Sequence, residues 1–117
     1  MRKISIDSAT ALMEFKDFKR SNTEVRVTEY GNCLESTLYL FDNLIARHVN
    51  DELGRSTLEI TNADYFTVTT KDRLNALPDI YIQQRKGDWY LNGEYWDGEW
   101  IVIKENDRLK VNSINTN

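Results

Sequence analysis

The pattern that most constrains this chain runs from residue 24 to residue 61. There, apolar residues alternate with polar ones in short runs separated by turn signals. In TEVRVTEY, Val25 and Val27 alternate with Arg26 and Thr28. In STLYLF, Leu38 and Leu40 alternate with Tyr39 and Phe41. LIARHV and STLEIT follow, the second with Leu58 and Ile60 on one face. A period of two marks a half-buried strand. Gly31-Asn32 and Asp42-Asn43 stand between runs as turn signals, and the polar NDELGR joins the last pair. The spacing predicts four antiparallel strands in a meander.

Such a sheet needs a cover, and Ser5-Ile6-Asp7-Ser8 reads as the start of one. Ser5 is placed to cap a helix, and Asp7 falls in its first turn, where the dipole favours an acid. Ala9, Leu12 and Met13 follow at helical spacing, and the pattern predicts an end near Lys16 or Asp17. Lys19-Arg20 and Ser21-Asn22 break the pattern. Further on, Thr69 and Asp72 have capping-box spacing, Leu74 and Leu77 form a short apolar face, and Pro78 stops the chain. That predicts a short helix over Thr70 to Leu77. DIYIQQ, Trp89-Tyr90-Leu91 and EWIVIK then read as three strands, the first two joined by a turn at Lys86-Gly87. The fold class is α+β: an antiparallel sheet of about seven hairpin-linked strands, an N-terminal helix packed on it, and one short central helix. Residues 1–117 read as one domain, with 105–117 fraying as a tail.

Composition narrows the function. The 117 residues are 40% hydrophobic and 29% charged, with a net charge of -4. That argues against a dedicated double-stranded DNA binder, which carries a basic surface. The charge is also too small for a DNA mimic. The single cysteine, Cys33, forms no internal disulfide and fits a reducing compartment. MRKISIDSAT has no signal-peptide run, and nothing approaches the roughly 20 apolar residues of a membrane helix. The expected location is the cytoplasm, with no membrane partner.

Metal, cofactor and catalytic sites have no sequence support. His48 and Cys33 are the only residues of their kinds and have no zinc-ligand spacing. The strand-to-helix turn NADYFTVTTKDR lacks the glycines of a phosphate loop. Two binding constellations remain. In WYLNGEYWDGEW the Asn92-Gly93 and Asp97-Gly98 pairs are strong turn signals, and the tryptophans read as a small aromatic core. The same stretch offers Tyr95, Trp96 and Trp100 as partner anchors, with Glu94, Asp97 and Glu99 as an acidic rim aimed at a basic surface. The alternative is a single-stranded nucleic-acid face made of Tyr81, Arg85, Lys86 and Tyr90, since rings and cations on a sheet stack and hold bases. Its null is that Tyr81 and Tyr90 pack under the helix or against each other.

SNTEVRV, LYLFDNLIAR, TVTTKDRLNAL and KGDWYLNGEYWDGEW together resemble a group of small accessory proteins of tailed bacteriophages. The resemblance covers about residues 20 to 102. It is carried by Thr69, Thr70, Arg73, Leu74 and Asn75, then Trp89, Leu91, Asn92 and Gly93, then Trp96, Asp97 and Gly98. The chain departs from the group at Asp42, where a turn glycine is usual, and at Val68, where a proline is usual. The resemblance implies a viral protein working inside a bacterium and brings no catalytic residues. The leading expectation is a non-enzymatic monomer or homodimer that binds a host bacterial protein. It would inhibit or redirect that protein, as an anti-defence inhibitor acts on an antiviral complex. A single-stranded nucleic-acid-binding module is the competing expectation, with weak nucleic acid as a further partner.

Overall fold

The computed structural model describes residues 1–107. Helix α1 (Lys3–Glu14) opens the chain, followed by strands β1 (Phe18–Arg20), β2 (Thr23–Tyr30), β3 (Cys33–Leu40), β4 (Asn43–Asn50) and β5 (Arg55–Ile60). Helix α2 (Val68–Asn75) leads to β6 (Ile82–Arg85), β7 (Asp88–Leu91), β8 (Glu94–Tyr95) and β9 (Ile101–Asp107). The predicted α+β class holds, and so does the four-strand meander, which is β2 to β5. The strands form two antiparallel sheets. One has six strands in the order β1-β2-β3-β4-β5-β9, and the other three in the order β6-β7-β8. The expected last strand, EWIVIK, therefore does not extend the group it follows. It crosses back to pair with β5, with Ile60 opposite Ile101.

Alternation puts Val25, Leu38, Ala46, Leu58 and Ile60 on the inner face of the large sheet, each nearly or fully buried. Ala9 and Leu12 of α1 and Leu74 of α2 close over them. The far side of the core is the small sheet, which contributes Ile82, Trp89 and Leu91. Fully burying each large side chain here stabilises the fold by about 1.5–3 kcal/mol.

Several boundaries differ from the sequence reading, each for a tertiary reason. Ser5 is not the cap of α1, because the helix starts two residues earlier and has no side-chain cap. Ser5 is instead buried one turn in, where its hydroxyl donates to the Asp72 carboxylate and accepts from Arg73 Nη1 at 2.8 Å. Phe15 ends the helix in the left-handed region, short of Asp17. Lys19-Arg20 does not merely break a pattern: with Phe18 it forms the edge strand β1, Phe18 lying opposite Val25. The β3–β4 turn sits one residue early, at Phe41-Asp42, with φ of 49 and 64. Helix α2 is capped by Thr67, whose hydroxyl accepts from the Thr70 N–H, so the Thr69–Asp72 box is not used. Asp72 is drawn away to Ser5. Of the segment expected to fray, residues 105–107 continue β9, and 108–117 lie outside the described residues.

Arg73 is the polar pin of the assembly. It is 2% exposed, and its guanidinium donates to Ser5, to Thr23 Oγ1 at 2.8 Å and to Asn22 Oδ1 at 3.3 Å. It thereby joins α1, α2 and the start of β2. Burial pushes its pKa down, and the Asp72 carboxylate at 3.6 Å opposes that shift.

Candidate interaction surface

The small sheet is built by two left-handed turns. Lys86-Gly87 has φ of 52 and 87, and Asn92-Gly93 has φ of 50 and 89, which is the backbone of two-residue hairpins. The second turn is also tied down by Asn92. Its Oδ1 accepts from the Tyr81 N–H at 2.8 Å, and its Nδ2 donates to the Asp79 carbonyl at 2.9 Å. Register then decides which side chains face out. Ile82 pairs with Leu91, and Gln84 with Trp89, on the inner side. Gln83, Tyr90 and Tyr95 line up across the three strands on the outer side, with Arg85 opposite Asp88.

The outer face is a sheet of rings. Tyr90 and Tyr95 meet edge to face at 6.2 Å. The Arg85 guanidinium lies 4.6 Å from the Tyr90 ring centre. Tyr81 joins through its hydroxyl, which accepts from Gln83 Nε2 at 2.9 Å. Tyr81 is 59% exposed and Tyr95 65%. Of the predicted nucleic-acid set, Tyr81, Arg85 and Tyr90 are brought together, and Lys86 sits in the adjoining turn. Neither tyrosine lies under a helix. The local charge is balanced, Arg85 and Lys86 standing against Asp88 and Glu94.

The predicted anchor set is divided. Tyr95 belongs to the tyrosine face. Trp96 is 5% exposed, and its Nε1 donates to the Glu99 carbonyl at 2.9 Å, so it packs in the core. Trp100 is 45% exposed and immediately precedes β9 of the other sheet. Glu94, Asp97 and Glu99 are exposed, but Asp97 Oδ1 is occupied by the Glu99 N–H at 3.0 Å. The reason is Gly98. Its carbonyl accepts from Thr61 Oγ1 at 2.6 Å and from the Asn62 N–H at 3.0 Å. That docks the Asp97-Gly98 turn on the end of β5 and folds Trp96 inward, beside Trp89 at 6.1 Å. The aromatic core is therefore Trp89 and Trp96, with Phe66 edge-on to Trp89 at 5.2 Å.

Sequence reasoning missed further exposed apolar residues. Phe41, Tyr65, Phe66 and Val68 are 65%, 52%, 50% and 72% exposed, and Phe41 and Tyr65 line one cleft. Phe41 read as the end of a strand, and Tyr65 to Val68 as an ordinary connection. The available signal was the run YFTV, which is unusually apolar for a loop. His48 and Cys33 take no part in either surface. His48 is buried and stacked on Phe15 at 4.5 Å. Its Nδ1–H donates to the Leu12 carbonyl and its Nε2 accepts from Ser56, because a carbonyl can only accept. Among the described residues no three His, Cys, Asp or Glu side chains converge on a metal position, and no helix is long and apolar enough to cross a membrane.

Comparison with known proteins places this geometry in a lineage. No curated protein and no solved structure matches the chain. The family model for the Kyanoviridae Gp96 protein matches residues 1–110. The chain thus belongs to the Kyanoviridae Gp96 family and is a phage protein.

Proposed function

We propose that this phage protein is a non-enzymatic binding module that docks a host bacterial protein on its tyrosine face, and by occupying it inhibits or redirects it. The observation that carries this is the outer face of β6-β7-β8, where exposed Tyr81 and Tyr95 flank an Arg85–Tyr90 stack on a rigid two-turn scaffold. Tyrosine and arginine dominate interface hot spots, because they bury large area with few rotatable bonds lost. An antiviral defence component is the class of target the reading favours.

The assembled Tyr81-Arg85-Tyr90 set also supports single-stranded nucleic acid as a second reading. Charge favours the first. A groove that tracks phosphates needs an excess of cations, whereas this region carries Asp88 and Glu94 beside Arg85 and Lys86. A protein partner fits a ring-rich, charge-balanced face better.

The test is affinity capture from host lysate with wild type and with the Tyr81→Ala/Tyr95→Ala double variant, whose melting temperature is checked first. A host protein held by wild type and lost by the variant is the expected result. Identical captures from both would sink the reading. In a parallel arm, labelled oligonucleotides that bind tightly, with affinity falling steeply as salt rises, would give the face to nucleic acid instead.

A further inference from the structure

A cleft of about 420 Å³ opens on another part of the surface, between the β3–β4 turn and the loop that leads into α2. Its floor is apolar, formed by the buried Leu40 and Ile45. Two rings, Phe41 and Tyr65, stand at its rim and stack on no other ring among the described residues. Both are held by tight turns. Phe41 occupies a left-handed position itself, bonded through its N–H to the Asn22 carbonyl at 2.8 Å. Tyr65 closes the Asn62–Tyr65 turn, whose middle residues Ala63 and Asp64 have φ of 53 and 66. The backbone that carries each ring is therefore set before any ligand arrives, which lowers part of the ordering cost of binding.

The polar groups of the cleft are all uncharged. Asn43 Nδ2 donates to the Phe41 carbonyl, and its Oδ1 accepts no hydrogen bond among the described residues. The Thr69 hydroxyl makes no hydrogen bond among the described residues, and its backbone N–H, in the first turn of α2, has no partner within the helix. No lining residue bears a charge, in contrast to the neighbouring cleft, which includes Lys19, Glu24 and Asp42.

We propose that this cleft binds an uncharged planar heteroaromatic of the nucleobase or nucleoside class. The rings supply stacking faces, and Asn43 and Thr69 supply a mixed acceptor and donor edge of the kind a base displays. A phosphate would meet no cation.

The site is tested on the full chain by titrating adenosine, guanosine, cytidine and uridine, and then the matching monophosphates, while amide chemical shifts are recorded. The expected result is saturable binding of at least one nucleoside, with shifts centred on residues 40–45 and 62–70. The monophosphate should bind no tighter. Tyr65→Ala should weaken binding about tenfold, the loss of one stacking partner. Thr69→Val, which removes only a hydroxyl, should weaken it less, and Tyr81→Ala on the tyrosine face should leave it unchanged. No shift with any nucleoside at millimolar concentration overturns the proposal. So does a monophosphate that binds much tighter than its nucleoside, or binding that Tyr81→Ala removes. Failure here leaves the tyrosine-face reading standing, because the two surfaces share no residue.

Discussion

The two sheets bury similar inner faces and treat their outer faces differently. On the large sheet the outer side chains neutralise one another across strands. Arg47 lies between Glu35 at 2.7 Å and Glu59 at 3.2 Å, and Arg26 covers the Tyr39 ring at 4.2 Å. The Glu35 carboxylate beside it pushes the Arg47 pKa up. On the small sheet the outer positions are rings, and its one stacked cation, Arg85, lies against Tyr90. A face whose charges are already paired has little left to offer a partner. A face of exposed rings still has apolar area to bury, so binding is expected there.

The sharpest way to break the contrast is from the inside. Trp89→Ala removes the only fully buried tryptophan, at 1% exposure, and should cost about 3–5 kcal/mol in a denaturant melt. If the loss is below about 1 kcal/mol, the small sheet has no core of its own. Gly98→Ala attacks the joint between the sheets. A Cβ there would lie 2.3 Å from Asn62 side-chain atoms, and φ is +91, which disfavours any side chain. A loss of about 2–4 kcal/mol is expected, with Trp96 becoming accessible to fluorescence quenchers. An unaltered melt with Trp96 still shielded would show that the turn docks without glycine.

His48 gives a pH test of the large sheet. Burial pushes its pKa below the ordinary value, against the opposing pull of the Leu12 carbonyl. The unfolded chain then binds the proton more readily, so the neutral imidazole contributes stability above about pH 6.5 that is lost as pH falls toward the folded pKa. His48→Gln should flatten that acid-side slope. A slope identical in the variant would assign it to other groups. Smaller still, Arg47→Ala should cost under about 1 kcal/mol, since the pair is partly exposed and screened, and less at high salt. Smallest in stability is Tyr81→Ala, expected within about 0.5 kcal/mol of wild type while partner capture falls. A large stability loss there would mean that Tyr81 holds the sheet together rather than serving it as a contact.

The residues that carry the phage resemblance are mostly the ones that hold the fold. Thr70, Arg73, Leu74, Trp89, Leu91 and Trp96 are buried, and Asn75 bonds both the N–H and the carbonyl of Ile82. Even the departures are structural. Val68 is the first residue of α2, a position that suits proline, and Asp42 holds a φ of 64 that suits glycine. Those positions encode turns and a core. The exposed rings that make a candidate site, Tyr81 and Tyr95 on one surface and Phe41 and Tyr65 on the other, are not among the positions that carry the resemblance.

By itself, the sequence determined the period-two strands, the left-handed turns at Lys86-Gly87 and Asn92-Gly93, and the α+β class. Those follow from local patterning and turn chemistry, which act within a few residues. Only the tertiary structure decided that β9 leaves its neighbours for β5, that Ser5 and Asp72 serve Arg73 and not helix caps, and that Trp96 turns inward while Tyr95 faces out. Each of those outcomes is set by a partner far along the chain: Ile60 for Ile101, Asp72 for Ser5, Asn62 for Gly98. Burial is a property of the assembled layers, and a side chain's neighbours in sequence do not contain it.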